Sequence, residues 1–162
     1  MSDLAARVAV LEAEVQRLRD RAELQDLRFR YHVAVNEKRP AEIAPLFARG
    51  GSLDFGPLGR ADGRAEIAAF FEATLADPAA FVKQFLHNHL VELDGDRAAG
   101  TSYLEARPVY AGESYLVAAR YDDTYLREDG GWRFARMAMT PIFIVPLREG
   151  WAGAEKVKLA RR

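Results

Sequence analysis

One stretch, residues 84–96 with the sequence QFLHNHLVELDGD, constrains the fold of this chain more than any other. Its first ten residues are rich in Leu, Val, His and Phe, and they are followed by Gly95, which suits the positive φ angle of a tight hairpin turn. Residues 97–107 can then return as the partner strand. Neither face of the first strand is plainly polar, as the outer face of a half-solvated sheet would be. We therefore expect one face to line a pocket and the other to contact a partner.

Strand alternation assigns the side chains of this stretch to two opposite faces. The first face carries Phe85, His87, His89, Val91 and Leu93, and the second carries Gln84, Leu86, Asn88, Leu90 and Glu92. If Gln84 marks the pocket face, His87 and His89 point away from the pocket as interface or core residues. A β-bulge that shifted the register would instead make His87 a candidate base.

The composition indicates one domain over residues 1–162 with a sizeable core, since 49% of the residues are hydrophobic. A net charge of −1 and a pI near 6.3 give no electrostatic reason to expect binding to nucleic acid or to acidic membranes. The chain has no Cys, which excludes disulfides and thiolate chemistry and is typical of a reducing compartment. No apolar run approaches the ~20 residues of a membrane span, and the charged N-terminus does not resemble a signal peptide. We expect a cytoplasmic protein.

The chain begins with two amphipathic segments. In residues 3–19, apolar side chains recur at alternating four- and three-residue steps, at Leu4, Val8, Leu11, Val15 and Leu18. This pattern predicts a helical arm over residues 1–20 that packs either on its own domain or on a neighbouring subunit. A second helix over about 22–37 would bury the stripe Leu24, Leu27, Tyr31 and Val35, so that Tyr31 lies on the buried side.

Further helices and a sheet follow. Pro40 suits the first turn of a short third helix that Gly50-Gly51 would end, and residues 63–76 predict a fourth helix that Asp77-Pro78 would stop. A short strand at 52–55 and a loop at 56–63 lie between them. Strands are predicted at about 83–93, 97–107, 114–126 and 132–145, with Pro141 at a bulge or an edge. The basic tail 147–162 would wrap the surface. Three to four helices before a mostly antiparallel sheet indicate the α+β class.

Five segments together resemble the SnoaL-like branch of the nuclear transport factor 2-like superfamily. They are a heptad-like lead-in, AELQDLRFRYHVAVNEKRPAEIAPLF, GRAEIAAFF, HNHLVELDGDRA and AARYDDTYLREDGGWRFAR. The resemblance covers roughly residues 20–140 and implies a cone-shaped α+β barrel, in which the helices close on a strongly curved sheet around a deep apolar pocket. Its members include dehydratases, dehydrohalogenases, isomerases, polyketide cyclases and binding modules, so the fold alone does not fix the function.

The resemblance also implies where catalytic groups would lie. In the dehydrochlorinase and dehydratase types, a strand His is oriented by an Asp at the end of the second helix; by register these positions fall on Gln84 and Asn36. A basic residue of some relatives falls on Met137, whereas a family Tyr is retained as Tyr31. Because neither amide titrates in the useful range, Asn36 and Gln84 cannot act as a His–Asp base.

The candidate site keeps hydrogen-bonding and apolar groups at these positions. The candidate catalytic residues are Tyr31, Asn36 and Gln84; the candidate substrate-binding residues are Asn88, Leu86, Leu104, Ala106, Tyr121, Met137, Met139 and His87. In one interpretation Tyr31 transfers a proton while the amides orient the substrate. The substrate's own phenol or enol would then donate the electrons that drive out the leaving group. In another the pocket only binds, and Tyr31 is simply a core residue.

A metal or an organic cofactor is not expected. His87 and His89 with Glu105 or Asp122 could be imagined as ligands, but paired histidines on a strand are common without metal. The chain also lacks a glycine loop that would cradle phosphates. We expect Arg120, Asp122 and Asp123 to form an ion-pair network at the surface of the sheet.

The sequence thus favours a cofactor-free lyase that removes water, or a small fragment such as formaldehyde, from a hydrophobic hydroxylated aromatic or polycyclic molecule. One alternative is an isomerase or cyclase of the polyketide or steroid kind, and another is a non-catalytic small-molecule binding protein. We expect a homo-oligomer, a trimer by resemblance, with interfaces on the outer face of the sheet, and no nucleic-acid or membrane partner.

Overall fold

A computed structural model describes residues 2–76 and 81–159 of the chain. The helices are α1 (Ser2–Asn36) and α2 (Gly63–Leu75), with 3₁₀ turns at Pro40–Glu42, Ala44–Leu46 and Gly56–Leu58. The strands are β1 (Phe47–Asp54), β2 (Arg60–Asp62), β3 (Gln84–Asp94), β4 (Arg97–Ala106), β5 (Val109–Tyr110), β6 (Glu113–Glu128) and β7 (Gly131–Pro146). The predicted helix stop at Asp77-Pro78 lies outside the described residues.

The strands form one curved sheet in the order β2-β1-β7-β6-β4-β3, with β5 paired to β6. β1 and β7 run parallel, and the other neighbours are antiparallel. Both helices pack against the sheet, and the apolar core lies between these layers. The predicted α+β class is confirmed. The sheet ends at β2 and β3, so the strands do not close a complete barrel in the described part of the chain.

The two predicted N-terminal helices are a single helix of 35 residues, because nothing between residues 19 and 22 breaks it. Its C-terminal half packs on the sheet through the predicted stripe of Leu24, Leu27, Tyr31 and Val35, all of which are buried. Residues 3–19, in contrast, are exposed along their whole length. The arm therefore does not pack on its own domain.

The segment after α1 differs from its prediction. The third helix is two 3₁₀ turns, with Pro40 in the first turn as expected. Gly50 and Gly51 lie inside β1 rather than at a helix end. A Cβ at Gly51 would lie 2.9 Å from the carbonyl oxygen of Phe134, so glycine lets β1 approach β7 closely where their register shifts. The predicted loop 56–63 contains β2.

The hairpins of the sheet form as predicted. Gly95 adopts a φ of 57° in the turn between β3 and β4, and Asp129 and Gly130 take positive φ angles between β6 and β7. The register of β6 and β7 shifts at Pro141, where a bulge was expected. No helix in the described residues has the length and apolar character that crossing a membrane requires.

A β-bulge in β3 decides which of its side chains face the interior. Gln84 and Leu86 pair with Ala106 and Leu104, but the register then shifts by one residue, so that His89 pairs with the buried Ser102. His87 occupies the bulge. Beyond it, the odd-numbered residues of the strand face the core, starting with His89.

Candidate active site

Most of the predicted site residues share the inner face of the sheet and helix α1. Tyr31 and Tyr121 are fully buried, and Gln84 on the edge strand is half-buried. The apolar residues on the same inner face are Leu86, Leu104, Ala106, Met137 and Met139. The structure thus brings together the predicted tyrosines, the strand amide and the apolar wall.

Asn36 lies beside this group but uses its amide on the backbone of β3. Its Nδ2 donates to the carbonyl oxygen of Gln84 at 2.9 Å, and its Oδ1 accepts from the Gln84 amide nitrogen at 2.7 Å. Both halves of the side-chain amide are therefore satisfied as in a strand pair. In this arrangement Asn36 holds the first residue of β3 in place.

Asn88 and His87 lie on the outer face of the sheet. Asn88 is exposed and accepts a hydrogen bond from the backbone nitrogen of Tyr103 at 3.2 Å, while His87 is half-exposed and 3.8 Å from Glu105. The expectation that Asn88 shares a face with Gln84, and that His89 points away from it, is wrong because the bulge reverses the alternation. The bulge brings His89 inward, and not His87.

A histidine that the sequence did not single out contacts Gln84 in the interior. His32 is buried on α1, and its Nδ1 lies 2.9 Å from Oε1 of Gln84. Because a carbonyl oxygen only accepts hydrogen bonds, Nδ1 carries the proton, and the lone pair of the neutral ring is on Nε2. Gln84 thereby fixes the tautomer of His32.

Two tyrosine side chains lie beside this contact. The ring centroids of Tyr31 and His32 are 5.1 Å apart, and that of Tyr121 lies 6.5 Å from Tyr31 and 6.1 Å from His32. The two tyrosine hydroxyls and Nε2 of His32 are buried without a well-formed hydrogen bond, although Tyr121 and Gln84 lie near enough to Tyr31 to affect its pKa. Such groups are rarely left unsatisfied inside a folded protein, so the arrangement favours a ligand.

Burial sets the protonation of these groups. It lowers the pKa of His32 to about 3, helped by the nearby Arg28, while the hydrogen bond to Gln84 acts in the opposite direction. It also raises the pKa of Tyr31 well above its usual value, reinforced by Tyr121, and that of Tyr121. At neutral pH the imidazole is therefore uncharged and both tyrosines hold their protons.

A second polar group lies deeper, beneath the Tyr121 ring. Arg28 and Asp123 are fully buried and form an ion pair at 3.3 Å, and the Arg28 guanidinium stacks 3.7 Å from the centre of the Tyr121 ring. Tyr125 donates to Asp123 at 3.1 Å, and its hydroxyl lies 2.9 Å from Nε2 of His89. The group links α1 to strands β6 and β3.

Burial shifts the pKa of two members of this deeper group. Burial raises the pKa of Asp123 to about 6, although Arg28 and the Tyr125 hydrogen bond oppose the shift. Burial also lowers the pKa of His89 to about 4, with Arg28 acting in the same direction. The expectation that Asp123 lies in a surface network is wrong, because alternation along β6 turns it inward. Its neighbour Asp122 does pair with Arg120 at the surface, at 2.7 Å.

In the described residues, no group of three or more His, Asp or Glu side chains is arranged to hold a metal ion. The bulge also places His87 and His89 on opposite faces of β3, which separates the pair that was considered as ligands.

Five interior polar residues were missed from the sequence. They are Arg28, His32, His89, Asp123 and Tyr125. Arg28 and His32 lie eight and four residues before Asn36, so the helical period alone puts all three on one stripe of α1. Asp123 and Tyr125 continue the alternation of Tyr121 along β6. The position of His89 depends on a bulge that no local residue pattern predicts.

Comparison with known proteins places this geometry in a family. Residues 16–138 match the model of the SnoaL-like domain. An uncharacterized Mycobacterium tuberculosis protein, Rv2910c, is 29% identical over 133 residues, which are 80% of this chain and 90% of that protein.

Solved structures show the same fold. The hexachlorocyclohexane dehydrochlorinase LinA type 2 superposes with a TM-score of 0.77 at 22% identity, covering 83% of this chain and 93% of that one. A candidate scytalone dehydratase from Novosphingobium aromaticivorans superposes with a TM-score of 0.72 at 20% identity, covering 80% and 88%. With the model match over three quarters of its length, this chain belongs to the SnoaL-like domain family.

Proposed function

We propose that this protein is a cofactor-free lyase that removes water, or water and formaldehyde, from a hydrophobic phenolic molecule with a hydroxyl on the carbon next to the ring. The proposal rests on one observation: the Tyr31 and Tyr121 hydroxyls and Nε2 of His32 are buried close together without good hydrogen bonds. Two donors and one acceptor in an aromatic shell suit a flat substrate that carries hydroxyl groups at both ends.

The low pKa of His32 decides the kind of chemistry. The hydrogen bond to the neutral Gln84 favours the imidazolium less than burial and the nearby Arg28 oppose it. His32 is therefore a weak base: in this proposal Nε2 accepts a hydrogen bond from the phenol and takes its proton only as the C–O bond breaks and the electrons move into the ring. This favours a substrate whose own phenol group donates the electrons that drive out the leaving group.

The elimination then needs one acid. As the phenol proton moves to Nε2 of His32, the ring electrons expel the neighbouring hydroxyl, the C–O bond breaks, and Tyr31 gives its proton to the departing oxygen. Water and a quinone methide result. The proton on His32 then returns to the Tyr31 oxygen, which restores both side chains.

Release of formaldehyde follows the same electron path in reverse. If the next carbon carries a CH₂OH group, the proton of that O–H passes by way of His32 to the quinone oxygen, the C–C bond to the CH₂OH carbon breaks, and the electrons of that bond form the new C=C bond and restore the phenol ring. Formaldehyde and a new C=C bond are the products. Asn36 supports both steps by holding Gln84, and through it His32, at the start of β3.

The relatives support this class without fixing the substrate. A dehydrochlorinase and a candidate scytalone dehydratase share the fold, and the names of both describe eliminations. For the protein as an assembly we propose a homo-oligomer with an interface on the outer face of the sheet. Phe85, Leu90 and Tyr103 are exposed on the outer face of the sheet, which supports an interface there.

The experiment compares 4-hydroxyphenyl carbinols, with and without a neighbouring CH₂OH group, with their phenol methyl ethers. Substrate loss is followed by chromatography and formaldehyde by a colorimetric assay. We expect turnover of the phenols. The methyl ethers should bind without reacting, because an ether oxygen has no proton to lose and its ring therefore cannot drive out the leaving group. Tight binding of both series with no turnover of either would overturn the lyase and favour a binding protein.

A further inference from the structure

Helix α1 carries a largely apolar seam, interrupted at Gln25, that its own domain leaves uncovered. The seam consists of Leu4, Val8, Leu11, Val15, Leu18, Ala22, Gln25 and Phe29, at alternating four- and three-residue steps. All eight residues are exposed, including Phe29, with 61% of its surface open to solvent at the level of the sheet. The seam therefore extends from the arm onto the body of the protein.

The seam and the domain lie on nearly opposite faces of the helix. Asp20, Leu24, Leu27 and Tyr31 are buried and project about 180° away from the seam around the helix axis. A second helix laid along the exposed arm, residues 4–18, would meet no part of this domain's sheet, whereas His32 and Asn36, which continue the same spacing beyond Phe29, contact Gln84 of β3. Such a long uncovered apolar stripe is typical of an interface.

We infer that the seam binds the same helix of a second copy as a parallel, in-register, two-stranded coiled coil. With Leu4 at a d position, the d positions are Leu4, Leu11 and Leu18, and the intervening a positions are Val8 and Val15. β-Branched residues at a with Leu at d favour two parallel strands. The two domains then flank the coiled coil, each on the outer side of its own helix.

Charges beside the seam select this orientation and register. In a parallel pair, each g residue faces the e residue five positions later on the other helix. The three facing pairs are Arg7 with Glu12, Glu14 with Arg19, and Arg21 with Asp26 of the second copy. Every pair joins opposite charges. Exposed pairs contribute little stability individually, so they act mainly on partner choice, while the apolar seam holds the helices together.

Single cysteines test the geometry cleanly, because the chain has none of its own. Leu4→Cys and Leu18→Cys lie at the first and third d positions of the seam, and Val10→Cys, equally exposed but off the seam, is the control. After mild oxidation of the full chain, we expect disulfide-linked dimers for both seam variants and none for the control. Antiparallel helices, or an arm packed on the body of a neighbour, would leave at least one seam variant unlinked and overturn the proposal.

A charge exchange tests the register independently of any contact through the sheet. Arg7→Glu places like charges opposite each other at two symmetric positions, and we expect the dissociation constant of the arm contact, measured by sedimentation, to rise about tenfold. The double variant Arg7→Glu with Glu12→Arg restores opposite charges and should recover the original value. A double variant that associates as weakly as the single one would contradict the pairing.

Discussion

The Nδ1 atom of His32 on helix α1 lies 2.9 Å from the Oε1 atom of Gln84 on the edge strand β3, and this contact defines the candidate site. The family resemblance placed a His at position 84 and an acidic residue at position 36. This chain instead has its interior imidazole on the helix and an amide on the strand. The neutral amide holds the ring in one tautomer but adds no charge to it.

Replacing that amide by a carboxylate tests the contact. We expect Gln84→Glu to raise the pKa of His32 by roughly 1–3 pH units, because an opposite charge now favours the imidazolium. The ring protons of His32, followed by NMR across pH, report the change. Gln84→Met is the control that removes the hydrogen bond without adding charge. A His32 pKa that stays near 3 in the Glu variant would show that the two side chains do not meet.

The stability of the protein should depend on His32 in acid. Its pKa is about 3 in the folded chain and 6.5 ordinarily, so the folded state disfavours protonation and the contribution present above pH 6.5 is lost as the pH falls toward 3. The contribution of Asp123 to stability has the opposite pH dependence. Its pKa is raised to about 6 from 3.8, so this contribution is present below pH 3.8 and is lost as the pH rises through 6.

His32→Gln separates the two effects. We expect it to flatten the pH dependence of the unfolding free energy between pH 6 and pH 4 by about 1.4 kcal/mol per pH unit, the effect of one proton. Urea unfolding at several pH values measures this slope. Parallel stability curves for wild type and variant would mean that His32 is protonated equally in both states.

The buried Arg28–Asp123 pair should contribute more to stability than the exposed Arg120–Asp122 pair beside it. Asp123→Asn leaves the Arg28 guanidinium buried without a counter-charge, and we expect a loss of about 3–5 kcal/mol of stability. Asp122→Asn, which breaks the exposed pair with Arg120, should cost less than about 1 kcal/mol. Denaturant unfolding compares the two; equal losses would contradict the burial of Asp123.

Asn36 should prove structural as well as functional. Asn36→Ala removes both hydrogen bonds to Gln84 and leaves backbone groups of β3 unpaired, and we expect a loss of about 1–3 kcal/mol. Asn36→Asp keeps the acceptor for the Gln84 nitrogen but sets an oxygen against the Gln84 carbonyl, so it should not restore the loss. Full stability in the Ala variant would show that β3 needs no such anchor.

Local patterns in the sequence predicted the class, the hairpins and most of the inner wall, since alternation along β4 and β6 is regular. They failed where the geometry depends on contacts between distant residues. Gly50 and Gly51 were predicted to end a helix. They lie instead inside β1, where Gly51 allows this strand to approach Phe134. The bulge at His87 reverses the inward and outward alternation of the side chains that follow it in β3, so that Asn88 faces outward and His89 faces inward.

His32 was missed for a related reason. It lies beside the buried stripe of α1 rather than on it, and it becomes interior only because the curved sheet covers a wide face of the helix. Its role also depends on Gln84, 52 residues away in sequence. Such a pairing needs the three-dimensional structure.

Turnover by Tyr31→Phe tests the central claim most directly. Tyr31 is the proposed acid, and a single positioned acid is typically worth about 10²–10⁴-fold in rate. Against a phenolic carbinol that the wild type converts, we expect Tyr31→Phe to lose that factor in kcat with unchanged folding. The matched control Tyr115→Phe, buried at the far end of β6, should keep full activity. A Tyr31→Phe variant as active as Tyr115→Phe would contradict the account.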